Sequence, residues 1–321
     1  MRSLTCILSV ALLPLALVGR GIGAEPSPGP AGAEVIPPSP EAQPQSPASS
    51  LEPAGAAAPV VVPELIKLTT DPRWDVRQWA ANALGKIGSD AKEAVSALSG
   101  LLWDCEPAIR QAAADALGRM GPAAEKAAPA LVVLLQDPTQ AVRHAAAAAL
   151  VQIGPTAKAV VPQAIALLDD PCWDVRRSAA EVLGGVGKAA QTAVPALTNR
   201  LADCDPVVRI AAATALTTVS PKQAEAVPLV ATLLRDVHPG VRALAADLLG
   251  GLGPEAKPAI PALSEALMDC MYRVRIAAVR ALGEIGPAAK EAFPAVAARM
   301  RDDVADVRLE ALTAMMQIKT K

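Results

Sequence analysis

The side chains that could do chemistry in this chain are few and widely separated. Two histidines, His144 and His238, could bind a metal or accept a proton, and neither is followed by a glutamate. The sequence contains no Ser/His/Asp order, phosphate-binding loop or metal-ligand spacing that would indicate an active site. We therefore interpret His144 as a solvated residue and predict no catalytic residue, no bound metal and no cofactor.

An arginine recurs every 33 residues along the chain, with no insertion or deletion. A fixed period of this length is typical of stacked repeat proteins. Such proteins more often offer a long surface to a partner than a pocket to a substrate. The eight positions are Arg77, Arg110, Arg143, Arg176, Arg209, Arg242, Arg275 and Arg308.

An aspartate precedes each of these arginines by six residues. The positions are Asp71, Asp104, Asp137, Asp170, Asp203, Asp236, Asp269 and Asp302. The arginines could form a basic stripe for phosphates, or each could reach the aspartate turn of an adjacent repeat and form a structural ladder. We favour the ladder because the net charge is −2, which also argues against a nucleic-acid partner. The aspartates are expected to accept N–H groups where a helix begins.

Two helices explain each repeat. In the third repeat, residues 128–135 have the apolar spacing of a buried helix, with Pro129 in its first turn. Residues 142–153 form a second apolar pattern at helical spacing, which a Gly-Pro pair ends. No stretch alternates with period two, so the sequence predicts an all-α fold. The chain has one Phe, one Tyr and runs of alanine, and such small side chains predict helix axes near the low end of ~8–10 Å.

The cysteines do not suggest a metal site, since no Cys-x-x-Cys pair occurs. Besides Cys6, the chain has four. Only Cys172 and Cys204 fall in adjacent repeats, and a layer spacing of ~8–10 Å exceeds the ~7 Å that a disulfide tolerates. We expect small buried apolar side chains rather than disulfides. The four are Cys105, Cys172, Cys204 and Cys270.

Residues 137–155 nearly spell out the pattern Asp-Pro-x-x-x-Val-Arg-x-x-Ala-Ala-x-Ala-Leu-Gly-x-Ile-Gly-Pro, and residues 269–287 do so less fully. This unit resembles the short HEAT-like repeat, the kind also seen in bilin (phycobilisome) lyases, over roughly residues 59–319. The resemblance implies a right-handed α–α superhelix, a HEAT-like solenoid of eight two-helix repeats whose second helices line the concave face. Deoxyhypusine hydroxylases are HEAT-like enzymes that hold iron through His-Glu pairs, which this chain lacks.

Two repeats depart from this pattern. In repeat five, Thr217 and Ser220 replace the two glycines, and we expect a bend there. The last repeat has Met316 and Lys319 at those positions, as expected of a capping unit.

The first 58 residues differ in composition from the repeats. Residues 1–24 are interpreted as a secretory signal peptide, with Arg2 before a 13-residue apolar run, residues 6–18. An uncleaved anchor is the alternative. Residues 25–58 are rich in Pro, Ala and Ser and predict a disordered linker. The solenoid then occupies residues 59–321, and we expect an exported protein of the periplasm or cell envelope, or a secreted one, with no membrane span in the mature chain.

Two columns of the repeat carry candidate binding residues. Trp74, Trp173 and Tyr272 lie three residues before an arginine, in the turn at one edge, where they could anchor a partner or cover their own turns. The residue after each arginine should point into the concave groove. This column is polar in the first half and apolar in the second, and comprises Gln78, Gln111, His144, Arg177, Ile210, Ala243, Ile276 and Leu309. The apolar half could instead pack more deeply in a tighter stack.

These observations favour a non-enzymatic scaffold that binds a protein or peptide on the concave face. One alternative is a HEAT-like enzyme or enzyme subunit, of the bilin-lyase type or an oxidoreductase related to the hydroxylases. Another is a structural spacer in the envelope.

Overall fold

The computed structural model describes residues 58–220 and 222–319, and every regular element within them is a helix. The signal peptide and nearly all of the linker predicted above lie outside these residues. The described part forms eight helix pairs, one for each 33-residue repeat. The first helices are α1 Ala58–Leu68, α3 Val95–Leu101, α5 Ala128–Val133, α7 Val161–Leu167, α9 Val194–Arg200, α11 Gln223–Thr232, α13 Ile260–Ala266 and α15 Phe293–Ala298. The second helices are α2 Trp74–Ile87, α4 Pro107–Met120, α6 Gln140–Ile153, α8 Trp173–Val186, α10 Pro206–Val219, α12 Pro239–Gly251, α14 Tyr272–Ile285 and α16 Ala305–Lys319.

Glycine and proline set the ends of these helices. At the end of α2, Gly88 has φ of 69°, a left-handed value that side chains with a Cβ disfavour. A short 3₁₀ segment then leads into the first helix of the following repeat. In five of these first helices a proline stands at the first or second position, as Pro129 does in α5. Pro63 and Pro228 instead lie inside α1 and α11, because these helices begin several residues earlier in the repeat.

The second helices pack closely because glycine faces alanine between repeats. A Cβ added to Gly85 on α2 would lie 2.8 Å from the Cα of Ala116 on α4. Similar contacts recur for Gly118 with Ala149, Gly250 with Ala281 and Gly283 with Ala314. The first helices make no comparably dense contacts with one another. The closer spacing on the side of the second helices makes that side the inner, concave face.

Repeat five interrupts this packing, at the place where the sequence predicts a bend. Thr217 stands where the neighbouring repeats have Gly184 and Gly250, and α10 and α12 contact each other more sparsely than any other successive second helices. Ser220 ends α10 in an extended conformation, and the described residues between α10 and α11 contain no 3₁₀ segment. Thr217 and Leu248 stand where most other successive second helices have a glycine facing an alanine, so the close glycine–alanine contact is missing here.

One helical stretch among the described residues, residues 140–167, is long and apolar enough to cross a membrane. It consists of α6, the following 3₁₀ segment and α7. Its most apolar 18-residue window is 56% buried inside the solenoid, so its apolar character is that of a repeat core.

The aspartate of each repeat organises the turn between its two helices. Asp71 Oδ1, for example, accepts the backbone N–H of Arg73 at 2.8 Å, one residue before α2 begins. The equivalent bond recurs in each of the other repeats. The carboxylate therefore fixes the backbone just before the second helix, and both of its oxygens can still accept hydrogen bonds from a neighbouring repeat, as those of Asp104 do.

Arginines join these turns into a ladder that runs along the stack. Each guanidinium donates through one nitrogen to two carbonyls of its own turn, as Arg176 does to Asp170 at 2.9 Å and Pro171 at 3.1 Å. In six of the eight repeats, its other nitrogens bind the turn aspartate of the next repeat in a bidentate pair. These pairs are Arg77–Asp104, Arg110–Asp137, Arg176–Asp203, Arg209–Asp236, Arg242–Asp269 and Arg275–Asp302, with N–O distances of 2.6 to 3.0 Å.

The ladder predicts a loss of stability in acid. Hydrogen bonds from Arg77 lower the pKa of Asp104 below its ordinary value. Burial acts to raise the pKa of Asp302, but hydrogen bonds from Arg275 and the Val304 amide outweigh it and lower the pKa to about 2. Since these folded-state pKa values lie below the unfolded value of about 3.9, their stabilisation is complete above about pH 4 and is lost as the pH falls toward 2.

We therefore expect the melting temperature to fall steeply between about pH 4 and pH 2. Asp302→Asn should be less stable than the wild type at neutral pH and should show a shallower fall in acid. Glu93→Gln, an exposed change in a connecting segment, serves as the control. An Asp302→Asn profile parallel to that of the wild type across this range would contradict a contribution from this pair.

Candidate binding groove

The ladder changes its partner at one junction, between repeats three and four. Arg143 does not pair with Asp170. It binds Asp174, a buried carboxylate in the first turn of α8, with 2.9 Å between Nε and Oδ2. Asp170 instead accepts the side-chain amide of Gln136 at 2.9 Å. The expected pair is replaced because Asp174 offers Arg143 a carboxylate one turn farther along the chain.

Two more donors converge on Asp174. His144 Nε2 lies 3.0 Å from its Oδ1, and an Arg177 guanidinium nitrogen lies 3.1 Å from the same oxygen. Burial acts to raise the pKa of Asp174, but hydrogen bonds from His144 and Arg143 outweigh it and lower the pKa below the ordinary value. The carboxylate is therefore ionised at neutral pH and fixes two groove residues, His144 and Arg177.

A groove of about 730 Å³ opens on the inner face across α6, α8 and α10. Its floor is made of small and apolar side chains, and His144, Arg177 and Glu181 contribute its charged or titratable groups. The remaining lining residues are Ala148, Val151, Gln152, Ala180, Gly184, Gly185, Val207, Ile210, Ala211, Thr214, Ala215 and Thr218.

The groove exists because two consecutive glycines remove side chains from the middle helix. A Cβ on Gly185 would lie 2.8 Å from the Cα of Val151 on α6. On the other side, Gly184 accepts a 3.0 Å hydrogen bond from the Thr218 hydroxyl through its carbonyl oxygen. Without side chains at these two positions, α8 projects less into the groove than the side chains of α6 and α10 on either side of it.

The polar groups of the groove differ in how well they are satisfied. Arg177 also approaches Glu181 at 3.6 Å, yet its Nε is buried with no hydrogen-bond partner among the described residues. Thr214 donates its hydroxyl to the backbone carbonyl of Ile210 at 3.0 Å. The groove thus combines an apolar floor with a cationic group whose hydrogen-bonding capacity is incompletely used.

The structure brings some of the predicted binding residues together and separates others. Arg177 and Ile210 line the groove, with His144 from the same column. Ile276 is half-buried and Leu309 is exposed in later repeats, outside the groove. The three aromatic residues at the turn edge are exposed and do not line it, namely Trp74, Trp173 and Tyr272.

Other groove residues were not singled out by the sequence analysis. Asp174 lies in the segment Trp-Asp-Val-Arg, where a second acidic residue follows the turn aspartate by four positions. Gly184 and Gly185 form a pair inside a helix, and glycine is unfavourable there unless packing requires it. Both irregularities are visible in the sequence, but their partners on α6 become visible only when the repeats stack.

Two expectations about reactive side chains need correction. The four cysteines of the solenoid are free and exposed, not buried, since they follow the aspartate in the turn at the edge of the stack. His144 is 42% exposed at its side chain, but it is bound to Asp174 and is not simply solvated. Among the described residues, no cluster of three or more His, Cys, Asp or Glu side chains could hold a metal ion.

Comparison with known proteins agrees with this architecture. A family model for HEAT repeats matches overlapping stretches at residues 50–118, 98–165, 128–217, 161–246, 194–270 and 226–317. The chain belongs to the HEAT-repeat family. Comparison with curated protein sequences gives no match.

Solved structures place this HEAT-repeat protein among other helical solenoids. Importin beta is 16% identical, with a TM-score of 0.60 over 82% of this chain and 42% of its own. YibA of E. coli is 21% identical, with a TM-score of 0.52 over 84% and 98%. Both show the fold alone. The complex of CpcE and CpcF of phycocyanin lyase from Nostoc is 24% identical over 85% and 98%, and its TM-score of 0.46 supports no functional argument.

Proposed function

We propose that this protein is an exported, non-enzymatic scaffold that binds an extended segment of a protein or peptide in the inner groove across α6, α8 and α10. The apolar groove with a few polar groups carries the proposal. Its volume of about 730 Å³ lies within the range of pockets that bury most of a small ligand or a short stretch of peptide.

The arrangement of the groove suits a peptide. The small side chains on its floor leave room for apolar side chains of a partner. Gln152, Thr214 and Thr218 are exposed polar residues that can bond a peptide backbone. Arg177 can bond a carboxylate or carbonyl oxygen through its guanidinium. The groove is open on the inner face, so a longer chain could continue beyond it along the neighbouring repeats.

We expect selection from a random peptide library on the purified protein to enrich peptides with apolar side chains. Ile210→Asp should weaken their binding at least about tenfold, because it places a charge on an apolar surface that the peptide buries. Thr214→Trp should do the same by filling the groove. The measurement is the dissociation constant of a labelled peptide by fluorescence anisotropy.

Ile276→Asp is the matched control. Ile276 occupies the same repeat position two repeats farther on and is also half-buried, but it lies outside the groove. Binding should survive this change. Peptides that bind the Ile210→Asp and Thr214→Trp variants as well as they bind the wild type would rule out this groove. If Trp74→Ala with Trp173→Ala abolishes their binding instead, the turn edge is the binding surface.

A further inference from the structure

We propose that the solenoid binds a second copy of itself end to end, with α16 of one copy against α2 of the next. Neighbouring repeats within the described residues are joined by one recurring contact. One end of the stack exposes one side of this contact, and the opposite end exposes the other side. The occupant proposed for each end is therefore the opposite end of another copy.

The ladder is incomplete at both ends. Arg308 donates to the carbonyls of Asp302 at 2.8 Å and Asp303 at 3.1 Å, in the same manner as the arginines of the other repeats. No carboxylate of the described residues pairs with its guanidinium. At the opposite end, Asp71 accepts the Arg73 amide but receives no arginine from a preceding repeat. Arg308 of one copy and Asp71 of the next can form the pair that each lacks, because both are already held in ladder geometry.

The outward face of α16 is apolar, and repeat eight therefore lacks the polar outer face of the capping unit that the sequence predicted. Leu312 occupies a repeat position whose residue is fully or almost fully buried in each of the other seven repeats, because the next second helix covers it there. Here it is 45% exposed, and Leu309, three residues earlier, is 67% exposed. The equivalent buried residues are Ala81, Ala114, Ala147, Ala180, Ala213, Ala246 and Val279.

The opposite end provides an apolar surface for these leucines. In repeat two, which has a neighbour on both sides, Ala112 and Ala116 lie on the side of α4 that faces α2, and both are buried. Trp79 and Ala83 occupy the same positions on α2, and both are only partly buried. The aromatic ring of Trp79 replaces a methyl group at this end and offers Leu309 and Leu312 a broad contact.

An interface of this kind is heterologous, because each copy uses two different surfaces. A third copy can therefore add to either end, and the assembly grows until it closes into a ring or continues as a filament. Both products differ from the dimer that a self-complementary patch would form.

The test is the molar mass of the purified protein, measured by multi-angle light scattering over a range of concentrations. The wild type should exceed its monomer mass of 32.7 kDa (less any cleaved signal peptide) as the concentration rises, and should grow beyond a dimer. Leu312→Asp and Asp71→Arg should each remain monomeric, and Asp71→Asn, which keeps the turn acceptor, should associate at least tenfold more weakly. Arg301→Ala and Glu64→Gln, exposed charge changes in the same end repeats, should leave association unchanged.

Mixing the two end variants separates this model from other modes of association. Leu312→Asp retains an intact α2 end, and Asp71→Arg retains an intact α16 end, so an equimolar mixture should form dimers and nothing larger. Circular dichroism establishes that each variant is folded. A wild type that stays monomeric at its highest soluble concentration overturns the proposal. Association of the wild type that neither end variant weakens, or a mixture that remains monomeric, overturns it as well.

Discussion

Replacing Arg176 with alanine is expected to lower the free energy of unfolding by about 3 kcal/mol, because it leaves a buried carboxylate without its partner. Arg176 and Asp203 are 7% and 8% exposed, and two hydrogen bonds of 2.8 and 2.9 Å join them. The change also removes the two bonds from Arg176 to the carbonyls of its own turn. The measurement is the urea concentration at the unfolding midpoint, multiplied by the slope of the transition.

Arg308→Ala is the matched control for this prediction. Arg308 has the same bonds to its own turn but no carboxylate partner among the described residues, and it is exposed. Its loss should therefore cost less than about 1 kcal/mol at low protein concentration. Equal and negligible effects of the two substitutions would show that the Arg–Asp ladder does not stabilise the stack.

Replacing Gly85 with alanine is expected to destabilise the protein by about 1–2 kcal/mol. Its Cβ would lie 2.8 Å from the Cα and 2.9 Å from the Cβ of Ala116, and neither backbone can give way without moving a helix. Overpacking of this kind costs about 1–3 kcal/mol. Alanine recovers less than about 1 kcal/mol through its higher helix propensity, so the steric cost prevails.

Gly100→Ala tests the same residue change without the steric contact. Gly100 lies in α3 with nothing within 4 Å of an added Cβ, so alanine should stabilise the protein by up to about 1 kcal/mol. The two midpoints should therefore move in opposite directions. If Gly85→Ala also stabilises the protein, α2 and α4 are not held together by close backbone contact.

Features that repeat with the 33-residue period were largely predictable. The Asp turn, the glycine that ends most second helices and the all-α fold depend on interactions that recur in nearly the same form in each unit. A pattern such as residues 137–155 therefore contains most of the information needed for one repeat. The pairing of Arg176 with the turn of the next repeat also follows, because a constant period keeps the two groups in constant register.

The groove depends on the positions where the period is broken. The sequence placed Arg177 and Ile210 in one inward-facing column, but it also placed Ile276 and Leu309 there, which the structure leaves outside the groove. The cysteines were wrongly predicted to be buried for a similar reason. Their apolar character does not reveal that the turn in which they lie is at an exposed edge of the stack.

The sequence by itself determined the repeat, its two helices and the columns of residues that face the next unit, because these are local and periodic properties. Only the tertiary structure decided that Arg143 would bind Asp174 instead of Asp170. It also decided that Val151 would pack directly against the backbone of Gly185, and that the groove would open over α8. The reason is that each of these contacts joins residues about one repeat apart, and at least one of the two residues departs from the consensus of the repeat. The packing of both repeats together decides which of two available carboxylates an arginine binds. It also decides how closely two helices approach at a glycine.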